Sequence, residues 1–247
     1  MPRRGRVKSE TGIYHVMLRG INRQVIFEDD EDCVKMMQTL SDVKEVSKCK
    51  IFAYCLMQNH CHFVLKTESE SLEQIFKRIG ARYVYWYNLK YKRTGHLFQD
   101  RYKSETVESD KHLLAVLRYV HQNPIKAGLA KVLIDYPWSS YKEYVGKPVL
   151  VDTGFIYSMM SKKEFKEYSI IETSDSALED EPTKIRVSDT EAKDKIHEIS
   201  RCGSLAKFQQ LASDEQRLYI KKFKEAGMSI RQINRLTGIS KGIVERA

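Results

Sequence analysis

Two histidines separated by a single residue, His60 and His62, lie in the run Tyr54-Cys55-Leu56-Met57-Gln58-Asn59-His60-Cys61-His62-Phe63-Val64-Leu65. The run reads as strand, tight turn, strand. Side chains alternate across a strand, so both imidazoles share one face while Cys61, Phe63 and Leu65 take the other. Two imidazoles on a rigid strand can hold a divalent metal, and the apolar alternates can anchor that strand in a core. Alone, such a pair is equally compatible with a structural role.

A second group of polar residues lies sixty positions on. Ser109 can cap a helix running from Asp110 to about Gln122, which Pro124 is expected to stop by forcing the preceding residue out of helical geometry. Its apolar stripe is Leu113, Leu117 and Val120, with Leu114 and Val116 at the margins. Tyr119 falls beside the stripe and Asn123 follows one turn later on the same edge, so the helix offers a hydroxyl and an amide oxygen together. His121 is turned about 100° per residue away from that edge and is not ranked as a ligand.

The remaining elements must bring these groups together. Ile13 to Arg19 alternates as a first strand, which Gly20 can end. Acidic residues 28–32 open a helix, where negative charge suits the N-terminal dipole, and Val34, Met37, Leu40 and Val43 give it an apolar stripe. Ile51 to Met57 is a second strand, and His60 to Lys66 a third, antiparallel to it. Ser71 with Gln74 is a capping box for a long helix that turns Leu72, Ile75, Phe76, Ile79, Tyr83 and Trp86 or Tyr87 to one side. Tyr102 to Val107 is a fourth strand. The order β-α-β-β-α-β-α predicts an α+β fold, a four-stranded antiparallel sheet with packed helices in the split βαβ arrangement. His15 on the first strand either supports the histidine pair or packs in the core.

Composition bounds the function. The 247 residues are 42% hydrophobic and 30% charged, in the range of soluble globular proteins, and no apolar run approaches the roughly 20 residues that cross a bilayer. No secretion signal is read at the basic N-terminus, and five scattered cysteines suit reduced thiols in the cytoplasm. Net charge is +9; residues 1–168 carry 28 Lys and Arg against 20 Asp and Glu, a net +8. The basic excess therefore sits with the histidine pair, where it favours polyanions.

The composition changes near Glu172, and residues 169–190 read as an acidic linker between a first domain, 1–168, and a helical domain, 191–247. In the latter, Ser213 with Gln216 is expected to cap a helix reaching Ala226, ended by Gly227. Residues 228–247 follow helix-turn-helix spacing, with Ile230, Ile233, Leu236, Ile239 and Ile243 packing the pair and polar residues from Ser240 onward, Lys241 and Arg246 among them, facing a DNA major groove. A plain helical packing module is the alternative.

Several stretches resemble one family. His60-Cys61-His62 is similar to the His-hydrophobe-His motif of the single-tyrosine transposases acting on single-stranded DNA. Tyr14-His15-Val16, Arg19-Gly20-Ile21-Asn22-Arg23, Gly95-His96-Leu97-Phe98-Gln99, Arg101-Tyr102-Lys103-Ser104, the run Arg118 to Leu129 and Tyr136-Pro137-Trp138-Ser139-Ser140-Tyr141 resemble, in order, its REP-associated branch. The resemblance covers roughly residues 1–145. It implies a ferredoxin-like catalytic domain, His60 and His62 as metal ligands completed by Asn123, and Tyr119 as nucleophile. It implies Mg²⁺ or Mn²⁺ as cofactor, hairpin-bearing single-stranded DNA as partner, and a cytoplasmic, nucleoid-associated setting. Arg3, Arg4, Arg101 and Lys103 are expected to touch phosphate. Two positions depart from the pattern: Gln58 stands where proline is common, and Cys61 fills the middle of the motif. A non-cleaving DNA-binding regulator and an RNA-binding sheet are the competing readings, the latter leaving the histidine pair unexplained. Whether one chain or a homodimer completes the site stays open at this level.

Overall fold

The computed structural model describes residues 7–99, 101–171, 189–202 and 205–247. Arg3 and Arg4, and the acidic stretch 172–188 expected as a linker, lie outside these residues. Two compact units are present, Met1–Glu179 and Asp180–Ala247. Among the described residues no helix is long and apolar enough to cross a membrane.

The first unit is an α+β sandwich on a four-stranded antiparallel sheet in the order β2-β3-β1-β4, where β1 is Ile13–Arg19, β2 Lys50–Met57, β3 His60–Lys66 and β4 Lys103–Thr106. A two-residue turn, Gln58 and Asn59, joins β2 to β3. The Gln58 carbonyl accepts from the Ile26 and Phe27 N–H groups at 2.8 and 3.1 Å, so this turn is held through backbone at the position where proline was the common residue.

Register decides which side chains meet. On β1 and β3, Met17 is opposite His62 and Arg19 opposite His60; on β1 and β4, His15 is opposite Glu105 and Met17 opposite Lys103; on β2, Cys55 is opposite His62. Directly opposed residues share a face. His15, Met17, Arg19, Cys55, His60, His62, Lys103 and Glu105 therefore line one face, and Val16, Leu18, Cys61, Phe63 and Leu65 the other.

The apolar face is covered by α2 (Leu72–Lys90), with α1 (Asp30–Ser47) beside it; Phe76 of α2 meets Phe63 with ring centroids 5.9 Å apart. In α1 the inward residues are Cys33, Met36, Leu40 and Val43, whereas Val34 is 43% exposed and Met37 only partly buried. The expected stripe was thus rotated at its start. Asp29 and Asp32 form a reciprocal capping box that fixes where the first turn begins, and this turns Cys33 and Met36 inward. In α2, Tyr83 and Tyr87 are buried and donate to the Ile26 and Val25 carbonyls, while Tyr85 is exposed and Trp86 only partly covered.

The histidine face is covered by α3, which spans Asp110–Lys126 and runs through Pro124 instead of stopping before it. Proline removes the donor that the Val120 carbonyl would use. Around that gap the Asn123 amide donates to the Tyr119 carbonyl at 3.2 Å, Ala127 N–H reaches Asn123 O, and Leu129 N–H reaches Pro124 O. One further turn forms, and Gly128, at φ +70°, leads the chain away. Residues 136–140 then shield the free edge of β2: Leu56 N–H donates to Trp138 O and Ser140 N–H to Tyr54 O, both at 2.9 Å. Three short helices follow, α4 (Tyr141–Val145), α5 (Gly154–Tyr157) and α6 (Lys162–Ile170), with Tyr144 stacked on Phe165 at 4.4 Å. The Glu143 carboxylate ties this region to the sheet, accepting from Tyr54 Oη and from the N–H groups of Val149, Leu150 and Val151.

The second unit holds α7 (Asp189–Ser200), α8 (Leu205–Gln209), α9 (Ser213–Glu225), α10 (Ile230–Thr237) and α11 (Lys241–Arg246). Its core gathers Ile196, Phe208, Ile220, Phe223, Ile233, Leu236, Ile239 and Val244. Two expectations are corrected here. Ser213 is the first residue of α9, whose N-cap is Ala212 without a side-chain bond, because Gln216 turns its amide to the Phe208, Gln209 and Leu211 carbonyls instead. Val244 fills the core where Ile243 was expected, and Ile243 is 37% exposed. Ser229 and Gln232 do form a full capping box on α10, and Gly238, at φ +72°, ends it.

Candidate functional site

Strand alternation and the ladder place three imidazoles side by side. His60 and His62, two apart on β3, have ring centroids 5.0 Å apart. His15 is the diagonal neighbour of His62 across the β1–β3 pair. The two rings stack at 5.2 Å and 26°, and His15 Nε2 lies 3.0 Å from His62 Nδ1. His15 Nδ1 faces Glu105 Oε2 at 3.5 Å across the β1–β4 pair, and His112 Nε2, from α3, approaches Glu105 Oε1 at 3.3 Å.

Tyr119 comes down on this cluster from α3. Its ring meets the edges of both His15 and His62, with centroids 5.8 Å away in each case. The hydroxyl-bearing ring and the imidazoles belong to one chain. Tyr119 is 2% exposed, more buried than its position beside the stripe suggested, because α3 lies directly on the histidine face. The Lys126 ammonium sits 5.0 Å over its ring. Asn123 is also buried, and its amide nitrogen is engaged by the Tyr119 carbonyl, which leaves Oδ1 as its ligand-capable atom.

Burial sets the electrostatics. It pushes His62 well below the ordinary imidazole range, with His60, His15 and Arg19 adding repulsion. It pushes His60 down to about 4, aided by Arg19 opposite it on β1. His15 is lowered by burial and partly restored by Glu105, whose own carboxyl is held below its usual range chiefly by His15 beside it. All three rings are therefore neutral near pH 7, the form that binds a metal. The middle residue of the motif, Cys61, is wholly buried on the opposite face, and burial raises its thiol far above the usual range.

The donor set suits a cation. His60 Nδ1 is 2.7 Å from Asn59 Oδ1 and His62 Nδ1 is engaged by His15, so each ring keeps Nε2 for a ligand. Among the described residues no three His, Cys, Asp or Glu groups converge as a metal site. Two imidazoles would thus need completion by a neutral oxygen such as that of Asn123, or by phosphate.

Residues 8–123, which carry all of these groups but Lys126, match the family model described as "Transposase IS200 like". That segment is similar to the IS200-like transposases. A Haemophilus influenzae protein assigned to the REP-associated tyrosine transposases is 27% identical to the chain over 101 residues; the match covers 36% of the chain and 57% of that protein, so the chain spans little more than half of its relative's length. The chain also shares its fold with the structure of a REP-associated tyrosine transposase bound to a REP hairpin, at TM-score 0.53 and 17% identity, covering 62% of the chain and 89% of the other. A Deinococcus radiodurans structure assigned as a transposase aligns at TM-score 0.35 and 17% identity over 48% of the chain and 95% of the other.

Of the residues the sequence singled out, the first unit brings His60, His62 and Tyr119 together, with Asn123 one turn along α3. Lys103 lies on the histidine face of β4, and exposed Arg101 just before that strand pairs with Glu73 at 3.3 Å. Lys241 and Arg246 belong to the separate second unit, where Lys241 pairs with Glu245 at 3.2 Å and Arg246 reaches the Gly242 carbonyl. His121 is buried away from the cluster and bonds to Ser140 Oγ at 2.8 Å. Sequence reasoning missed Glu105, His112 and Lys126. Glu105 was findable by the same alternation that pairs the histidines; its partnership needed the register of β1 against β4.

Proposed function

We propose that the first unit is a metal-dependent single-strand DNA endonuclease and strand transferase, with Tyr119 as nucleophile. The observation that carries this reading is the Tyr119 ring lying edge-on to both His15 and His62, 5.8 Å from each. His60 and His62 would hold Mg²⁺ or Mn²⁺, with the Asn123 oxygen as a further ligand; such an ion draws charge from a phosphate oxygen. Tyr119 Oη gives up its proton and attacks phosphorus in line; its Oη–P bond forms as the P–O3′ bond breaks, and the departing 3′ oxygen takes up a proton, so the exchange is proton-neutral overall. The product is a 5′-phosphotyrosine and a free 3′-OH. One ester replaces another, so a later 3′-OH can reverse the exchange without ATP.

Hairpin-forming single-stranded DNA is the proposed substrate, supported by the fold shared with a hairpin-bound relative and by the basic excess of this segment. Arg101 and Lys103 would contact phosphate. Helices α10 and α11, with Lys241 and Arg246, would read duplex DNA as a helix-turn-helix; Ser229 capping and the Gly238 turn support this reading. The test is incubation with a hairpin-flanked single strand and Mn²⁺. A protein–DNA adduct that survives denaturant is expected, absent in Tyr119→Phe while that variant still retains the strand. An adduct formed equally by Tyr119→Phe would sink the assignment, and retention without any adduct in the native protein would make it a regulator.

A further inference from the structure

We infer that Glu105 and His15 form a positioning chain that fixes the proton on Nδ1 of His62 and so aims its Nε2 lone pair at the metal position. The inference rests on the metal reading above and deepens it. Three strands contribute one residue each, on one face: Glu105 from β4, His15 from β1 and His62 from β3. The contacts run in series: Glu105 Oε2 approaches His15 Nδ1 at 3.5 Å, an electrostatic contact outside hydrogen-bond geometry, and His15 Nε2 is hydrogen-bonded to His62 Nδ1 at 3.0 Å.

A neutral imidazole carries one proton on one of two nitrogens. Between His15 Nε2 and His62 Nδ1 one atom must donate and the other accept. Two arrangements satisfy this contact. In the first, His15 holds its proton on Nδ1, toward Glu105, and accepts from His62 Nδ1–H; His62 Nε2 is then a bare lone pair. In the second, His15 donates from Nε2, His62 carries its proton on Nε2, and that ring cannot bind a metal. The second arrangement also turns the lone pair of His15 Nδ1 against the lone pairs of a carboxylate. An anionic Glu105 therefore selects the first. His112 approaches the other Glu105 oxygen at 3.3 Å and steadies the carboxylate from outside. His15 is wholly buried, and the part-exposed Glu105 carboxylate is the charged group facing its Nδ1.

His60 provides an internal reference. Its Nδ1 faces Asn59 Oδ1 at 2.7 Å, an amide oxygen that accepts the same proton without any carboxylate. The two ligand rings are thus set by separate devices, and perturbing one leaves the other intact.

The experiment is nitrogen NMR of protein labelled with ¹⁵N-histidine, metal-free at neutral pH, together with Mn²⁺ titration followed by loss of the aqueous Mn²⁺ EPR signal. Native protein should show both His60 and His62 with unprotonated Nε2. In Glu105→Ala the His62 signal should move toward a mixture of tautomers while His60 stays unchanged, and Mn²⁺ affinity should fall about 10- to 100-fold. A proton on His62 Nε2 in the native spectrum would overturn the inference without any variant. So would a Glu105→Ala protein with unchanged His62 tautomer and unchanged Mn²⁺ affinity. Failure of native protein to bind Mn²⁺ would sink the metal reading instead, and the tautomer spectrum would still decide the chain.

Discussion

The two faces of the sheet are made from the same strands, residue by residue in alternation. On one, Val16, Leu18, Cys61, Phe63 and Leu65 meet α1 and α2 and are all at most 1% exposed. On the other, equally buried positions hold His15 and His62, joined by Glu105, Tyr119 and Asn123. At His15, His62 and Tyr119 burial matches that of the apolar face; the partners differ. The apolar face gains free energy by leaving water, whereas the histidine face sets its buried ring nitrogens against specific polar neighbours. The difference teaches that depth alone does not mark a core: a buried polar cluster whose members answer one another is built for something other than cohesion.

Paired substitutions test that contrast most sharply. Phe63→Ala should cost about 3–5 kcal/mol of stability, read from urea unfolding, because it opens a cavity against Phe76. His60→Ala, three residues away and only half-buried, should shift the same transition by less than about 1 kcal/mol. It should nevertheless lower Mn²⁺-dependent strand cleavage about 10³-fold, as a cation ligand contributes several kcal/mol to the transition state. The opposite pattern would erase the distinction between the faces.

Gly20 lies where β1 ends beside the site. An added Cβ there would collide with the Gln24 carbonyl, and with the Ile26 side chain at 2.9 Å. Gly20→Ala should therefore destabilise by about 1–3 kcal/mol, the usual cost of overpacking, and a melting temperature unchanged from the native protein would contradict it.

Acid should distinguish the faces by sign. His60 is held down to about 4, against about 6.5 in an unfolded chain. Between those values the unfolded chain binds the extra proton, so stability rises with pH across that window and is lost as pH falls through it. His15 and His62 are shifted in the same direction and add to the loss. In EDTA, urea midpoints should drop between pH 7 and pH 4.5, and His60→Ala should show a shallower drop. The apolar face has no counterpart to this effect. The smallest change is expected at the surface: Arg101→Ala should weaken single-strand binding a few-fold and lower the salt dependence of affinity by about one phosphate contact. A loss that persists at high salt would place Arg101 in the site itself.

The sheet and the imidazole pair were legible in the sequence because both follow from period-2 alternation. His-x-His needs no tertiary information to share a face. The rest required geometry. The start of α1 was misjudged at Val34 because Asp29 and Asp32 set the helical phase, and several acidic residues competed for that role. Pro124 was expected to end α3, since local rules cannot foresee that neighbouring carbonyls find other donors. Burial of Tyr119 depends on how α3 lies on the sheet, and Glu105 joins His15 only through the β1–β4 register.

The alternation of β3 has one more effect. A slip of a single residue against β1 would turn both imidazoles under α2 and present Cys61 and Phe63 in their place. Mispaired copies would then lack any ligand nitrogens on the proper side. For the chemistry proposed, folding errors silence themselves: a chain assembled out of step loses its cutting edge together with its shape.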